Sequence, residues 1–234
     1  MGVSRRGCCR SHCAQPAPSV QSPPAPPVHG VRFRVGPLFR RSPSLTAASP
    51  ATTATAATTA ADVIAFWRRA GREAWFRKDA AFDAAFGDHC RQLHFAAARR
   101  ELDDWAATPE GALALLLLLD QYPRNCFRGS GHMYATDPLA LHFARQTLER
   151  GFDADIEPLL RPFCYMPFMH SESLVDQERC VALFESLGGD SLPFAREHRD
   201  IVARFGRFPH RNPMLGRATT PEEQRFIDEG GFAG

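Results

Sequence analysis

From residue 62 onward, apolar side chains recur at the three- and four-residue spacing of an α-helix, and this periodicity constrains the fold most strongly. Val63, Phe66 and Trp67 begin the pattern directly after Asp62, which we expect to be the N-cap of the first helix. The two-residue alternation of a half-buried strand is scarce in the same stretch. The sequence therefore predicts an all-α fold for residues 62–234.

Capping and turn residues divide this stretch into six or seven predicted helices. Thr108 and Pro109 open one helix, which we expect Pro123 to end, and Asp137 opens another that ends at Gly151. The remaining predicted helices span about 79–101, 171 or 173 to 187, 193 to about 205, and a short stretch from 220. Short connections favour antiparallel neighbours, so we expect an antiparallel helical array in a single domain.

Residues 1 to 61 have a different composition. They hold nine of the 19 prolines, an Ala/Thr-rich tract from Thr46 to Ala61, seven arginines and no acidic residue. Such a segment has few large apolar side chains with which to offset the entropy of ordering. We therefore predict a disordered basic N-terminal leader, either an organelle transit peptide or an extension that contributes nothing to the fold.

Charge and cysteine usage limit the partners and the compartment. Residues 62–234 carry 21 basic and 26 acidic side chains, so no excess of positive charge suggests nucleic-acid binding. The longest apolar run, Ala112 to Leu119, is far shorter than the roughly 20 residues that cross a bilayer. The seven cysteines are odd in number and irregularly spaced, which is typical of a reducing compartment. We expect a cytoplasmic protein with neither a nucleic-acid nor a membrane partner.

Three polar residues occupy positions on predicted helices where apolar residues are expected. Asp120 follows Leu116 and Leu117 on their face, Gln177 lies between apolar neighbours of its helix, and so does His198. Burying a polar group without a partner costs a few kcal/mol, so these side chains should meet one another or a ligand. Arg124, one turn after Asp120, is the expected partner of that carboxylate.

Three segments rich in arginine, histidine and asparagine are predicted to be loops: residues 120–129 after Pro123, residues 161–172, and residues 204–217. Guanidinium groups with several donors suit carboxylate or phosphate oxygens, and the segments are expected to converge at a common point. Their candidate functional residues are Arg124, Asn125, Arg128, His170, Glu172, His210, Arg211 and Asn212.

Several longer motifs lie in and beside these segments: LDQYPRN at 119–125, FRG at 127–129, ATD at 135–137, YMPFMHSE at 165–172, RFGRFPHRN at 204–212 and LGR at 215–217. With these motifs, the chain resembles, over roughly residues 62–232, the mostly bacterial proteins of domain of unknown function 924. The resemblance implies a tetratricopeptide-like helical fold, although no regular repeat is visible in this sequence. It implies no activity, since none is established for that family.

Two functions and one structural alternative fit the pattern. The first is a pocket for a small anionic or polar ligand or a peptide terminus, walled by Tyr165 and Phe168. Its ligand-binding residues would be Asp120, Arg124, Asn125, Arg128, Gln177, His198, Arg211 and Asn212. The second is a hydrolase-like enzyme in which His170, Glu172 and His210 act as acid and base or as metal ligands. The alternative is a polar network without a ligand. Cofactor and oligomeric state stay unknown.

Overall fold

The computed structural model describes residues 58–232, and within that range the protein has nine α-helices and no β-strand. In chain order the helices are α1 (Ala60–Phe76), α2 (Ala80–Ala98), α3 (Pro109–Leu116), α4 (Tyr122–Cys126), α5 (Asp137–Glu149), α6 (Pro162–Met169), α7 (Leu174–Leu187), α8 (Leu192–Phe205) and α9 (Pro221–Asp228). The all-α prediction is confirmed. The tetratricopeptide-like arrangement stays a prediction. The disordered leader is predicted for residues 1–61, of which residues 1–57 lie outside the described range. Its predicted boundary is wrong by two residues, because Ala60 and Ala61 already belong to α1.

Capping side chains fix where α1 and α9 begin. Thr59, and not Asp62, is the N-cap of α1, because Asp62 is the third helical residue and its carboxylate accepts from the Thr59 backbone N–H at 2.8 Å. This reciprocal pair is a capping box. Thr220 and Glu223 form the same arrangement at α9, where the sequence predicts a helix start. The predicted N-cap of α1 is therefore wrong by three residues.

Helix α1 is interrupted at Gly71, whose φ of 74° lies in the left-handed region that favours glycine. The interruption turns the end of α1 back on its beginning. Trp75 Nε1 donates to the Trp67 carbonyl at 2.7 Å, and the two indole rings stack with their centres 5.8 Å apart. The edge of the Phe163 ring packs against both indoles. An aromatic cluster thereby joins α1 to α6.

The centre of the core is the helical segment that begins with α3. Every residue from Ala112 to Leu119 is buried, and this segment packs against α1, α5 and α6. An element that is enclosed on all sides needs apolar side chains on all faces, which explains why this run shows no amphipathic stripe.

The helical backbone continues through Pro123, contrary to the prediction of a loop. Residues Leu117–Gln121 form one π-helical turn between α3 and α4, so that the Tyr122 N–H donates to the Leu117 carbonyl five residues back. This wider turn accommodates a proline, which has no N–H to continue the regular ladder. The side chains of Asp120 and Arg124 are therefore held on helical backbone and not on an irregular segment.

Two other elements supply the donors that the π-helical turn lacks. The Leu118 carbonyl accepts from His94 Nδ1 of α2 at 2.9 Å, and the Leu119 carbonyl accepts from the Thr136 hydroxyl at 2.6 Å. Both carbonyls are buried with their residues, where an unsatisfied acceptor costs about 1–3 kcal/mol. Tertiary contacts thus stabilise the π-helical turn that carries Asp120.

The second predicted loop, residues 161–172, is also mostly helix. Helix α6 contains Pro162 in its first turn and Pro167 inside, and every residue from Phe163 to Met169 is buried. Proline normally favours a break within a helix, but here burial of the whole segment in the core outweighs that preference. Only residues 170–173 connect α6 to α7, and they include His170 and Glu172.

Cys126 and Cys164, which flank the predicted site, are free thiols like the other two cysteines of the described range, Cys90 and Cys180. Burial raises the pKa of Cys164 to about 12 and that of Cys126 to about 11. Both thiols therefore stay protonated at neutral pH and pack as small apolar groups, so neither is an activated nucleophile.

Between residues 58 and 232, no helix is long and apolar enough to span a membrane. A cytoplasmic location stays a prediction.

Candidate functional site

A polar cluster forms around Asp120, Arg124, Asp137, His170 and Arg211. Asp120, on the π-helical turn, is its most deeply buried charged residue, with 1% of its surface exposed. Its carboxylate accepts from three donors: Arg124 Nη1 at 3.1 Å, Gln121 Nε2 at 2.5 Å and His170 Nδ1 at 2.7 Å. Burial raises the pKa of Asp120, but Arg124 and His170 lower it by more, so the net shift is downward. Asp120 is therefore ionised and joins the first segment to the second.

Asp137, the first residue of α5, joins the first segment to the third. Arg124 binds its two oxygens in parallel, Nη1 to Oδ1 at 2.9 Å and Nη2 to Oδ2 at 3.0 Å. Arg211 Nη1 reaches Asp137 Oδ2 at 3.3 Å. Thr136 occupies the N-cap position that the sequence assigns to Asp137, which leaves the Asp137 carboxylate free to pair with both arginines.

Arg211 is 94% buried, yet it uses only part of its hydrogen-bonding capacity. Its guanidinium carbon lies 4.6 Å from the centre of the Tyr134 ring and 4.4 Å from that of Phe208. Arg211 Nε is fully buried and has no hydrogen-bond partner among residues 58–232. Burial and the nearby Arg124 charge lower the pKa of Arg211. A buried cation with a spare donor is the cluster's clearest sign of a site for an anion.

His170 ends α6 and presents one ring nitrogen away from Asp120. Since the Asp120 carboxylate accepts, His170 Nδ1 carries the proton and Nε2 carries the lone pair. Nε2 forms no hydrogen bond within the part of the chain that the structure describes. Burial and Arg124 lower the pKa of His170, against the opposing effect of Asp120. The imidazole is therefore neutral at pH 7, with Nε2 as an acceptor.

Gln177, one of the predicted ligand-binding residues, holds the turn that carries His170. Its amide nitrogen donates to the carbonyls of Met169 at 2.7 Å and Ser171 at 2.6 Å. The Gln177 side chain is completely buried, with its Oε1 lacking a partner among the described residues. Gln177 thus orients the α6–α7 connection and makes no direct hydrogen bond to the ionic cluster.

Glu172 and Arg217 tie the second segment to the third. Arg217 donates Nη1 to Glu172 Oε2 at 2.6 Å and Nη2 to Oε1 at 2.9 Å, and the Phe208 N–H donates to Oε1 at 2.8 Å. Burial raises the pKa of Glu172, but these donors outweigh it and the net shift is downward. Arg217 Nε donates to Asn212, whose amide also contacts Glu223. Glu172 and Asn212 therefore serve to join segments.

His198 and His210 border the same cluster. His198 Nδ1 donates to the Phe194 carbonyl at 2.8 Å, whereas His210 Nδ1 is buried without a partner in the described range. Burial lowers the pKa of His198 to about 4, and the positive charge of Arg211 acts in the same direction. Burial and then Arg211 lower the pKa of His210 to about 3. Both rings are neutral at pH 7. Both lie beside the Phe208 ring that contacts Arg211, with ring centres 5.5 Å (His198) and 5.6 Å (His210) from the centre of Phe208.

Two predicted ligand-binding residues point elsewhere. Asn125 Nδ2 donates to Asp83 Oδ1 at 2.7 Å, and Arg128 Nε donates to Asp83 Oδ2 at 2.8 Å, so both fasten α4 to α2. The expected pocket walls, Tyr165 and Phe168, belong to the hydrophobic core, and the Tyr165 hydroxyl donates to Asp153. Tyr134 and Phe208 flank Arg211 in their place.

No three His, Cys, Asp or Glu side chains of residues 58–232 are placed so that they could together hold a metal ion. For Glu172 the reason is visible, since both its oxygens accept from Arg217. Because Arg217 occupies the Glu172 carboxylate, His170, Glu172 and His210 do not offer three free ligand atoms around one open position, as metal binding needs.

A cleft of about 460 Å³ lies where α8 meets residues 226–232, and the ring of its lining residue Phe232 is 4.5 Å from that of His198. Its arginines are paired with acids, Arg196 with Glu185 and Arg204 with Glu222. None of the predicted site residues lines this cleft. The cleft therefore has no spare charge of the kind that Arg211 provides.

The cluster also contains residues that are not among the sequence-predicted site residues: Gln121, Tyr134, Asp137, Phe208 and Arg217. Gln121, Asp137, Phe208 and Arg217 lie in the motifs LDQYPRN, ATD, RFGRFPHRN and LGR, respectively, which is the signal that marks them. Tyr134 carries no such signal, because an aromatic residue before a helix is as often a packing residue.

The sequence model of a protein family described as "Bacterial protein of unknown function (DUF924)" matches residues 63–231 of this chain. A solved structure of a protein of unknown function from Agrobacterium tumefaciens is similar to the chain with 58% sequence identity and a TM-score of 0.72. The match covers 73% of this chain and 97% of the other. A search of curated proteins found no match.

Proposed function

Because the chain belongs to this bacterial family, whose description assigns no activity, we propose a function from the site itself: the protein binds a small anion at the Arg124–Arg211–His170 cluster. The observation that carries this proposal is the spare, buried donor of Arg211. Carboxylates and phosphates are the groups that such a donor suits, since charge-assisted hydrogen bonds are among the strongest in proteins.

The surrounding residues support that role. The Tyr134 and Phe208 rings hold the guanidinium in place from two sides, and Asp137 fixes one of its terminal nitrogens. Preorganisation of this kind reduces the entropy lost on binding. Arg124 adds a second positive charge beside it, 13% exposed at its side chain. An anion would restore to Arg211 the hydrogen bond that the folded chain leaves unmade.

Replacing Arg211 by methionine tests the proposal. We expect acetate or phosphate to raise the melting temperature of the unmodified protein above that in sodium chloride of equal ionic strength, since a ligand that binds only the folded state stabilises it. Arg211→Met should lose this increment, while its stability in chloride alone changes by less than about 1 kcal/mol because a poorly satisfied buried cation is removed.

Arg204→Met is the matched control, because Arg204 is a half-exposed arginine paired with Glu222. It should keep the full anion-dependent increment. The proposal fails if acetate and phosphate act no more strongly than chloride on the unmodified protein, or if Arg211→Met responds as that protein does.

A second candidate is an esterase-type hydrolase with His170 as general base, favoured by the 2.7 Å contact that fixes its tautomer against Asp120. In this reaction a water proton passes to Nε2 while the water oxygen bonds to the acyl carbon and the alkoxide leaving group departs, taking up the proton. Asp120 would position the ring. Glu172 would have no part in the chemistry, because Arg217 and the Phe208 N–H occupy its oxygens.

The hydrolase candidate predicts turnover of an activated carboxylic ester such as 4-nitrophenyl acetate. His170→Asn should lower the rate constant by about 10²–10⁴-fold, the usual contribution of a general base. The asparagine amide retains a donor toward Asp120, so we expect this variant to fold. Release of 4-nitrophenolate, followed by absorbance, measures the rate; equal rates for the two proteins would leave only the binding function.

A further inference from the structure

The cluster combines a spare donor with an oriented acceptor. Arg211 Nε is a buried donor, and His170 Nε2 is a lone pair without a partner among the described residues. Resting on the proposed anion site, we infer that its ligand carries a hydroxyl group in addition to the anionic group, as a hydroxycarboxylic acid does. The anionic oxygens meet Arg211, and the hydroxyl donates to His170 Nε2.

The tautomer of His170 is fixed by the three donors around Asp120. Gln121 Nε2 and Arg124 Nη1 both donate to this carboxylate, so it stays an acceptor, and His170 must donate from Nδ1. A neutral imidazole that donates from one nitrogen accepts at the other. Nε2 cannot donate to an anionic oxygen without a second proton, and the neighbouring Arg124 charge opposes that proton.

The donor and the acceptor belong to one site because short contacts connect them. Asp137 bonds both Arg211 and Arg124, and Asp120 bonds both Arg124 and His170. These four contacts measure 3.3, 3.0, 3.1 and 2.7 Å, so Arg211 and His170 are the two ends of one short chain of hydrogen-bonded ion pairs. The ligand spans this chain to contact Arg211 and His170 at the same time.

A site with an unmet acceptor discriminates against ligands that bring no donor. A ligand that covers this acceptor without donating to it removes the acceptor from water unpaired, and an unpaired buried polar group costs about 1–3 kcal/mol. We therefore expect a hydroxyl at the correct distance to improve affinity by about 5- to 30-fold over the same anion without it.

Three matched ligand pairs test the inference by isothermal titration calorimetry at pH 7.5: glycolate with acetate, 3-hydroxypropionate with propionate, and 4-hydroxybutyrate with butyrate. At least one hydroxy acid should bind about 5- to 30-fold more tightly than its partner. His170→Asn removes the Nε2 acceptor and keeps a donor toward Asp120, so it should bind both members of that pair with the affinity of the weaker one. Arg211→Met should bind neither.

A second measurement covers the case in which His170→Asn does not fold. Two-bond ¹H–¹⁵N spectra of the unmodified protein should show the His170 Nε2 resonance shift with the hydroxy acid and stay in place with its partner. Equal binding within all three pairs, or a preference that persists in His170→Asn, overturns the inference while the anion site stands. Failure of all six ligands to bind overturns the inference, and it overturns the proposed anion site as well if phosphate also fails to bind.

Discussion

Replacing Arg124 with methionine is expected to lower the free energy of unfolding by about 3–5 kcal/mol. Arg124 is the cation between the buried carboxylates of Asp120 and Asp137, with contacts of 3.1 and 2.9 Å, and it also donates to the Asp120 carbonyl at 2.7 Å. Its removal leaves two like charges close together without their common partner. Urea denaturation followed by circular dichroism measures the change.

Arg72→Met is the matched control. Arg72 also pairs with an aspartate, Asp190 at 3.2 Å, but the side chains are 59% and 84% exposed. Such surface pairs contribute about 0–1 kcal/mol, so this variant should be nearly as stable as the unmodified protein. Equal, small losses for the two variants would mean that Arg124 does not neutralise a buried acid, and that the cluster is open to water.

Acidification is expected to destabilise the protein through His198, by about 3 kcal/mol between pH 6.5 and pH 4. The pKa of His198 is lowered to about 4 in the folded protein, against about 6.5 in the unfolded chain. Over this window the unfolded state binds a proton that the folded state does not, so the free energy of unfolding falls as pH falls. Above pH 6.5 both states hold a neutral ring, and this contribution is constant.

His198→Asn isolates that contribution, because asparagine retains a donor for the Phe194 carbonyl but does not titrate. The difference in unfolding free energy between pH 6.5 and pH 4 should be smaller by about 3 kcal/mol in this variant. His142→Asn, at an exposed position on α5, should keep the full difference. If His198→Asn shows the same pH dependence as the unmodified protein, His198 is not held neutral in the folded state.

Local signals made much of the helical architecture predictable. Gly151, which has φ of 70°, follows the end of α5, Gly188 is the C-cap of α7, and Thr220 caps α9. In each case one side chain or one backbone preference fixes the helix end. Pro123 and Pro167 mislead for the opposite reason. Their helical conformation depends on contacts with distant parts of the chain, which no local pattern contains.

Members of the cluster were predictable where a polar residue occupies an otherwise apolar, buried face of a helix. Asp120 and His198 stand at apolar positions of their helices, and both lie in or beside the cluster. Asn125 and Arg128 were not distinguishable from site residues, because their partner Asp83 is more than 40 positions away in the chain. Arg217 was missed because its role depends on Glu172, 45 positions earlier.

The proposed anion site at Arg211 is tested most directly by a high-resolution crystal structure of the protein grown with the tightest-binding ligand of the six. We expect the ligand carboxylate within hydrogen-bonding distance of Arg211 Nε, and its hydroxyl within the same distance of His170 Nε2. A ligand found only in the cleft beside α8, with Arg211 Nε bonded to a protein carbonyl or carboxylate, would contradict the account.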